Sequence, residues 1–259
     1  MSIDEQATAL LELHTAPEPL VVVNVWDAIT AKVVADLDGT KAIATASHSI
    51  AASLGYGDGE QIPRDLMIEM VGRITTAADG IPVSADLEAG YGDIEGTIRA
   101  AIAAGASGAN LEDQMRPFDE AVANVATALR VAREEGVPDF VLNARTDAFV
   151  KADACDGAEC MAVAIQRGQA FLEAGAPCVF VPGKFDHDQI AQLVEAFGPQ
   201  KLSVIGLPGT PALAELRDLG VARVSYGPWT QRVALNAVTD LATSLYDGGT
   251  IPDDTPVLT

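Results

Sequence analysis

The sequence alternates short runs of β-branched and other apolar residues with longer amphipathic stretches, and it does so eight times. This alternation is typical of parallel strands joined by crossover helices. The predicted strands are 20–25, 41–46, 81–86, 107–112, 139–144, 177–182, 201–206 and 222–227. Eight such units in 259 residues indicate an α/β fold, a (β/α)8 barrel of the TIM type. A doubly wound open sheet is the alternative.

The stretches between the predicted strands have helical character. The clearest predicted helices lie near 62–79, 119–135 and 158–174. Gly105, Gly175 and Gly220 each stand just before a predicted strand, where a glycine commonly ends the preceding helix. No linker or low-complexity segment divides the chain, so we expect one domain over residues 1–259.

The charge of the chain limits its partners. Sixteen Lys and Arg stand against 37 Asp and Glu, which gives a net charge of −21. This balance disfavours nucleic acid and anionic membrane surfaces, whereas a small anionic substrate needs only local positive groups. The acidic N-terminus has no signal-peptide pattern, and no apolar run reaches the length of a membrane span. We therefore expect a cytoplasmic enzyme.

The three cysteines give little evidence of a disulfide framework. Cys155, Cys160 and Cys178 form no C-x-x-C motif, and their number is odd. The first two lie in KADACDGAEC, which we interpret as a surface loop. A metal site formed with the neighbouring acids is the alternative.

The run IPVSADLEAGYG at 81–92 reads as a buried strand that ends in two carboxylates and a glycine-rich turn. Strand alternation places Ser84, Asp86 and Glu88 on one face, and Val83, Ala85 and Leu87 on the other. Two carboxylates in a buried strand carry a large desolvation cost unless a cation or a strong donor meets them. We therefore expect a positive group beside Asp86.

Polar residues also follow the ends of other predicted strands, at 24–27, 45–48, 110–113 and 143–147. Alternation places Asn110 with Glu112 on one face, and Asn143 with Arg145 on another. Catalytic groups of (β/α)8 barrels come from the C-terminal ends of several strands. The sequence therefore predicts an active site at one mouth of the barrel.

Several of these segments resemble one family. NVWDAITAK, ATASHSIAASLGYGDGE, VSADLEAGYGD, NLEDQ, NARTDAF and FVPG, in this order, resemble the isocitrate lyase and phosphoenolpyruvate mutase superfamily, especially its short mutase-like or methylisocitrate-lyase-like members. The resemblance runs from about Val22 to Gly227. It implies an enzyme that depends on Mg²⁺, which Mn²⁺ can replace. It also implies a homo-oligomer, a dimer or tetramer, in which a C-terminal helix is exchanged between subunits.

The resemblance assigns a metal site to four acids. Asp86 resembles the metal-binding aspartate, Glu88 and Glu112 resemble acids that hold the metal's waters, and Asp58 resembles a further acid of the site. Mg²⁺ prefers oxygen ligands and keeps several waters, which agrees with this set. In the alternative without a metal, Asp86 and Glu112 form a buried ion network with Arg145.

The resemblance also assigns substrate-binding and catalytic residues. Arg145 resembles the cation that binds the substrate carboxylate and the transition state, and Ser47 and His48 lie in the segment that grips that carboxylate. Trp26 matches a motif near the mouth, and we include it among the substrate-binding residues. The catalytic candidates are Arg145, Glu112, Asp58 and His48. For Asp58 and His48, a role in turns or in hydrogen bonds to solvent is the alternative.

Two departures from the family pattern limit which reaction the chain can catalyse. The lyases carry a Lys-[Lys/Arg]-Cys-Gly-His loop after strand four, and the mutases carry a longer loop there. This chain has only the seven residues 113–119, and no cysteine before Cys155. Position 182 is a proline, where other members have Glu or His. With seven residues, the loop after strand four is too short to deliver a catalytic side chain.

The favoured activity is that of a C–C lyase for a small 2-oxo or 2-hydroxy dicarboxylate. Decarboxylation of oxaloacetate through a metal-stabilised enolate needs the fewest further groups. The alternatives are retro-aldol or retro-Claisen cleavage of the methylisocitrate type, C–P bond chemistry, and a non-catalytic barrel that binds a dicarboxylate.

The predicted C-terminal helix near 228–246 carries apolar residues at partly helical spacing, so we expect it to bury one face. Exchange between subunits and packing on its own barrel are both open to it, and the resemblance favours exchange.

Overall fold

The computed structural model describes residues 1–150 and 157–257. Eight parallel strands form a closed barrel in chain order, and β1 pairs with β8. The strands are β1 Leu20–Val25, β2 Ile43–Thr45, β3 Val83–Asp86, β4 Gly108–Glu112, β5 Val141–Arg145, β6 Cys178–Phe180, β7 Leu202–Ile205 and β8 Arg223–Ser225. No strand extends more than one residue beyond its predicted run. The barrel prediction is confirmed, and the closing pair excludes the open sheet.

Ten α-helices lie in the described ranges, one before the barrel and at least one after each strand. They are α1 Ile3–Thr15, α2 Ala28–Ala35, α3 Ser47–Ser53, α4 Arg64–Ala77, α5 Ile94–Ala103, α6 Phe118–Glu134, α7 Gly157–Glu173, α8 His187–Phe197, α9 Leu213–Leu219 and α10 Trp229–Tyr246. Gly105, Gly175 and Gly220 have φ angles of 93°, 102° and 88°, as expected for glycines that end helices.

Alternation along the strands separates an apolar outer layer from a polar interior. Leu111, Leu142 and Ala144 pack in the large cluster between the strands and the helices. Asn143 points into the barrel, where its Nδ2 donates to Asn110 Oδ1 at 2.7 Å. The predicted faces of β4 and β5 are therefore confirmed. Small polar residues inside the barrel form a rigid support for the mouth above them.

The N-terminal helix α1, which the sequence analysis did not predict, packs against the N-terminal ends of the strands. Leu10 lies in a buried cluster with Leu20 and Val141. A Cβ at Gly108 would meet Val141 O at 2.7 Å and Leu10 Cδ2 at 2.8 Å, so only glycine allows this close approach. The packing of α1 closes the end of the barrel opposite the mouth.

A fully buried arginine lies inside the barrel. Arg223, at the start of β8, donates from Nη1 to Ser84 Oγ at 2.9 Å. Burial lowers the pKa of its guanidinium to about 10, so Arg223 remains charged near neutral pH. The negative charge of Asp86 acts in the opposite direction on this pKa. Arg223 thus supplies positive charge below the mouth of the barrel.

The cysteines differ from the sequence-based expectation. Cys178 is a buried free thiol, and burial raises its pKa to about 12. Cys160, near the start of α7, is disulfide-bonded, which corrects the expectation of no disulfide. The odd number of cysteines excludes complete pairing but not a single bond. Cys160 is buried in α7, so the surface-loop interpretation is wrong for Cys160, and its disulfide leaves it no thiol for a metal. Cys155 and the rest of 151–156 lie outside the described residues, where both interpretations stay untested.

Helix α10 does not bury its apolar face within this chain. Val233, Leu235 and Val238 are 67%, 57% and 62% exposed, and Gln231 is the one residue of the helix that is buried. The alternative that α10 covers its own barrel is therefore wrong. Across the described ranges, none of the helices combines the length and apolar character needed to span a membrane.

Candidate active site

A cavity of about 510 Å³ opens at the C-terminal ends of the strands. Its lining includes ten ionisable or hydroxyl side chains, Ser47, His48, Asp58, Asp86, Glu88, Glu112, Arg145, Asp147, Ser225 and Arg232. The first seven belong to the predicted site, and Asp147, Ser225 and Arg232 add to it. The sequence-based expectation that polar strand ends converge on one mouth is confirmed.

Asp86, the last residue of β3, is held firmly by its neighbours. Ser47 donates to Asp86 Oδ2 from its backbone N at 3.0 Å and from Oγ at 2.7 Å. The backbone N of Asp86 donates to Thr45 Oγ1 at 2.8 Å. The hydroxyl of Ser47 therefore orients this acid. Both donors are uncharged, and no Arg or Lys among the described residues forms an ion pair with Asp86, so the structure does not supply the positive group expected beside it. Among the described residues nothing donates to Asp86 Oδ1, which leaves one carboxylate oxygen for a ligand in the cavity.

Glu88 reaches the same cavity by a turn and not by strand alternation. The strand ends at Asp86, and Glu88 has a left-handed φ of 51°. Its Oε2 accepts the backbone N–H of Glu60, and its Oε1 accepts Tyr91 Oη at 3.2 Å. Burial raises the pKa of Glu88 to about 7, and the charge of Asp86 adds to this rise. The carboxylate form of Glu88 is thus destabilised until a cation arrives.

The acids on this side of the cavity fit a hydrated Mg²⁺. Asp86 and Glu88 form no ion pair with Arg or Lys in the described ranges, so no cationic side chain there contacts either carboxylate. The same ranges contain no group of three or more His, Cys, Asp and Glu side chains placed to ligate one ion directly. One carboxylate as direct ligand, with others holding the ion's waters, matches the usual coordination of Mg²⁺. Asp86 fits the direct ligand, and Glu88 and Glu112 fit the outer positions.

Arg145 ends β5 and is held between two acids. Its Nη1 lies 2.8 Å from Glu112 Oε2, and its Nε lies 2.7 Å from Asp147 Oδ1. Burial opposes the charged guanidinium, but Glu112 and Asp147 raise the pKa of Arg145 above its ordinary value. Burial raises the pKa of Glu112, and Arg145 opposes that rise. The ion network that we considered as an alternative therefore exists around Glu112 and Arg145, and its third member is Asp147 instead of Asp86.

The connection from β4 to α6 is a short turn over 113–117. Gln114 and Met115 both have left-handed φ angles, 47° and 55°. Asp113 Oδ2 pairs with Arg167 Nη1 of α7 at 2.9 Å, and Arg167 Nη2 donates to Arg116 O at 2.7 Å. Asp113 and Arg167 are only 5% and 7% exposed. The predicted short loop is confirmed, and it is clamped to the barrel.

The Asp113–Arg167 clamp also supports the site, since Asp113 Oδ1 accepts the backbone N of Asp147 at 3.0 Å. Arg167 is not among the residues predicted from the sequence. A signal was available, because Arg167 continues the buried stripe of α7 formed by Met161, Ala164 and Phe171. An arginine in an apolar stripe indicates a buried partner.

The remaining predicted residues lie at the edge of the cavity or outside it. His48 Nδ1 lies 3.3 Å from Asp58 Oδ2, and both side chains are largely exposed on the rim. Trp26 instead lines a separate apolar groove of about 280 Å³ with Ile29 and Val33 of α2. The position of Trp26 does not support the prediction that it binds substrate.

The site and the barrel can be compared with known proteins. The family described as phosphoenolpyruvate phosphomutase matches residues 10–246. The chain belongs to this family. A phosphonomutase candidate from Burkholderia cenocepacia J2315 has a crystal structure with a TM-score of 0.85 at 41% identity, which covers 96% of this chain and all of that one. The resemblance predicted from the motifs is confirmed.

Two further proteins that are similar to this chain have named activities. The 2-methylisocitrate lyase of Escherichia coli K12 is 30% identical over 87% of this chain and 79% of its own length. A structure of oxaloacetate acetylhydrolase with the product oxalate has a TM-score of 0.85 at 27% identity, over 98% of this chain and 91% of that one. The superfamily consists of Mg²⁺-dependent C–C lyases and mutases that act on small carboxylates. The prediction of an enzyme of this superfamily is confirmed.

Proposed function

We propose that the protein decarboxylates a β-keto dicarboxylate of the oxaloacetate type. The observation that carries the proposal is the clamped turn over 113–117, which takes the place of a lid. Cleavage reactions that protect a reactive intermediate need a loop that excludes water and delivers a catalytic group. A turn held by a buried ion pair does neither. Decarboxylation tolerates an open site, because protonation of the enolate is the required last step.

Each residue of the site has a role in this reaction. Asp86, oriented by Ser47, would hold Mg²⁺ together with Glu88 and Glu112. When bound, Mg²⁺ supplies a Lewis acid that stabilises negative charge on the 2-oxo oxygen of the substrate. Arg145 is fixed by Glu112 and Asp147 and presents positive charge to the substrate carboxylate.

The bond changes are simple. The C3–C4 bond of oxaloacetate breaks, its electrons move to the 2-oxo group, and CO₂ leaves. A proton then adds to C3 and gives pyruvate. We assign this proton to water, which reaches the substrate because no lid covers the cavity.

The test is an assay with Mg²⁺ that follows pyruvate, glyoxylate and phosphate separately. We expect pyruvate from oxaloacetate, above the rate for Mg²⁺ alone, and no change in phosphoenolpyruvate or phosphonopyruvate. Activity that persists in excess EDTA would contradict the role of the metal. Phosphate release would indicate C–P bond chemistry, and binding of dicarboxylates without turnover would indicate a non-catalytic barrel.

The rim pair favours one second candidate, retro-aldol cleavage of a 2-hydroxy dicarboxylate of the methylisocitrate type. His48 and Asp58, 3.3 Å apart, have the arrangement of a base and its orienting acid. Such a pair could replace the missing loop cysteine. Faster glyoxylate release from methylisocitrate than pyruvate release from oxaloacetate, lost in His48→Gln, would establish this candidate instead.

We also propose that α10 is exchanged between subunits of a dimer or tetramer. The exposed apolar face of α10 and the apolar groove beside α2 both lack a cover within the described chain. Large exposed apolar patches mark interaction surfaces, and a second copy supplies a matching helix. Light scattering at micromolar concentration should give a dimer or tetramer mass. Leu235→Glu with Val238→Glu should reduce it, whereas Asn236→Glu is the control for added charge. A monomeric wild type would refute the proposal.

A further inference from the structure

The loop between α3 and α4, residues 54–63, carries the rim acid Asp58 and is fixed at both of its ends. The backbone N of Tyr56 donates to Ala51 O at 2.9 Å, which closes the end of α3. At the other end, Ile62 is fully buried in an apolar cluster. Between these anchors Asp58 lines the cavity. The position of Asp58 therefore depends on what holds the middle of the loop.

Glu60 holds the middle of this loop against the turn after β3. Its backbone N donates to Glu88 Oε2, and its own Oε1 accepts the backbone N–H of Tyr91 at 2.5 Å. Tyr91 Oη in turn donates to Glu88 Oε1 at 3.2 Å. Glu60, Glu88 and Tyr91 thus form a closed ring of three hydrogen bonds, in which each residue contacts the other two.

The ring fixes the carboxylate of Glu88 from two sides. Burial raises the pKa of Tyr91, and the charge of Glu88 adds to this rise, so the Tyr91 hydroxyl remains a donor. Each oxygen of Glu88 accepts one bond from the ring. Because a carboxylate oxygen accepts more than one hydrogen bond, Glu88 can still receive a further donor such as a metal-bound water. The ring therefore orients Glu88 without occupying it.

The backbone of Glu60 indicates that its side chain has a function. Its φ is 61°, in the left-handed region where glycine is favoured over a residue with a Cβ. A glycine at this position would relieve the backbone but would lose the bond to Tyr91. The chain carries glutamate there despite the cost, and such backbone outliers are concentrated at functional sites.

We propose that Glu60 is a positioning residue of the metal site, which orients Glu88 toward the waters of the bound cation and places Asp58 at the rim. This inference rests on the proposed Mg²⁺ site at Asp86, and it does not depend on which bond of the substrate breaks. Groups that orient metal ligands through hydrogen bonds commonly change metal affinity by about 10–100-fold. The contribution of Glu60 is to accept one hydrogen bond and not to supply charge.

Calorimetric titration with Mg²⁺ tests the inference without turnover. Glu60→Ala should weaken Mg²⁺ binding about tenfold, because Tyr91 N–H loses its acceptor and Glu88 loses its fixed orientation. Glu60→Gln keeps an oxygen at the same place, and the lost charge is half-buried and partly screened, so binding should weaken less than about threefold. Equal weakening in the two variants would show that Glu60 acts by charge and would overturn the inference. Glu195→Ala, at an exposed position of α8, is the matched control and should bind Mg²⁺ like wild type.

Glu60→Gly separates positioning from stability. It relieves the left-handed backbone, which offsets the lost hydrogen bond, so the Tm without metal should stay within about 3 °C of wild type. Its Mg²⁺ affinity should still fall about tenfold. A lower Tm with normal Mg²⁺ affinity would give Glu60 a structural role only and would overturn the inference.

Hydrogen exchange of the metal-free protein gives a second readout. Peptides that cover 55–63 and 87–93 should exchange faster in Glu60→Ala than in wild type, and Glu60→Gln should restore most of their protection. Unchanged exchange in Glu60→Ala would show that the ring does not depend on the Glu60 side chain, which contradicts the inference.

The binding results are separate from the reaction. If Glu60→Ala weakens Mg²⁺ but wild type does not decarboxylate oxaloacetate, Glu60 keeps its role and the reaction falls. If oxaloacetate is decarboxylated and Glu60→Ala binds Mg²⁺ like wild type, the reaction stands and this inference falls. If both hold, excess Mg²⁺ should restore most of the kcat of Glu60→Ala. A wild type that binds no Mg²⁺ would overturn this inference together with the proposed metal.

Discussion

The two sides of the cavity treat their acids differently. Near β4 and β5 the acids are paired, Glu112 and Asp147 with Arg145, and Asp113 with Arg167. Near β3 the acids Asp86 and Glu88 accept hydrogen bonds only from uncharged donors, a hydroxyl, a phenol and backbone N–H groups. Acids that a fold balances itself serve positioning, whereas acids that it leaves unbalanced are suited to a cation from solution. The contrast separates the metal side, with Asp86 and Glu88, from the supporting side of one cavity. Glu112 belongs to both, because it pairs with Arg145 and is proposed to hold the metal's waters.

Removal of Asp86 should have the largest effect, because it takes the direct ligand from the unbalanced side. Asp86→Ala should abolish metal binding and lower turnover by about 1,000-fold or more, which corresponds to several kcal/mol of charge stabilisation. Without metal, the unfolding temperature of Asp86→Ala should be no lower than that of wild type, since repulsion between Asp86 and Glu88 is relieved. Calorimetry with Mg²⁺ measures the metal affinity, and thermal denaturation measures the unfolding temperature. Asp38→Ala on the exposed surface is the control. Normal metal affinity in Asp86→Ala would place the metal elsewhere.

Breaking the clamp tests the supporting side. Arg167→Met leaves the buried Asp113 without its cation, so we expect a loss of about 3–5 kcal/mol in the free energy of unfolding. Denaturant titration measures it. Asp113→Asn combined with Arg167→Met should recover part of the loss, because no unpaired charge remains. A loss below about 1 kcal/mol in Arg167→Met would show that the pair contributes as little as a surface ion pair.

Arg145→Lys keeps the positive charge on the supporting side but replaces the planar guanidinium by a single ammonium. One ammonium cannot bond Glu112 and Asp147 in the same plane and still face the substrate. Because small misplacements at a reacting centre are costly, kcat/KM should fall about 100-fold. Steady-state kinetics measure this, with circular dichroism to confirm folding. Arg130→Lys on exposed α6 is the control. Near wild-type kcat/KM in Arg145→Lys would place Arg145 outside the reacting site.

The pH dependence of the metal-free protein should show the smallest effect. The folded pKa of Glu88 is about 7, above its ordinary value of 4.5, so the folded state binds this proton more tightly than the unfolded state does. The stabilisation is complete below about pH 4.5 and is lost as pH rises to about 7. The Tm without metal should fall over this range, and Glu88→Gln should reduce the fall. Mg²⁺ should bind more tightly as pH rises. If the Tm of metal-free Glu88→Gln fell with pH as steeply as that of wild type, the raised pKa would not belong to Glu88.

The barrel and the main residues of the site could be predicted because their signals are local. Strand alternation sets the direction of Asn110, Asn143 and Arg145. The acids of the site lie in motifs that resemble those of the superfamily. Glu88 reached the predicted place for a different reason, a left-handed turn after the strand.

Other features depend on contacts between distant parts of the chain. Arg167 contacts Asp113, which is 54 residues away in the sequence, and no local sequence pattern predicts that pairing. Ser47 was assigned to the substrate because its neighbourhood resembles a carboxylate-binding segment, but only the closed barrel brings it to Asp86. Trp26 shows the converse, since a residue beside a strand end can turn away from the mouth.

The clamped turn after β4 also has a consequence for timing. In many enzymes that close a loop over the substrate, opening of that loop sets kcat. A turn held by Asp113 and Arg167 has no open form for which turnover must wait. In the proposed decarboxylation, entry and exit would then take place by diffusion, and scission of the carbon–carbon bond would be the slow event. Such turnover would be insensitive to solvent viscosity and would carry a full carbon isotope effect at the departing carboxyl.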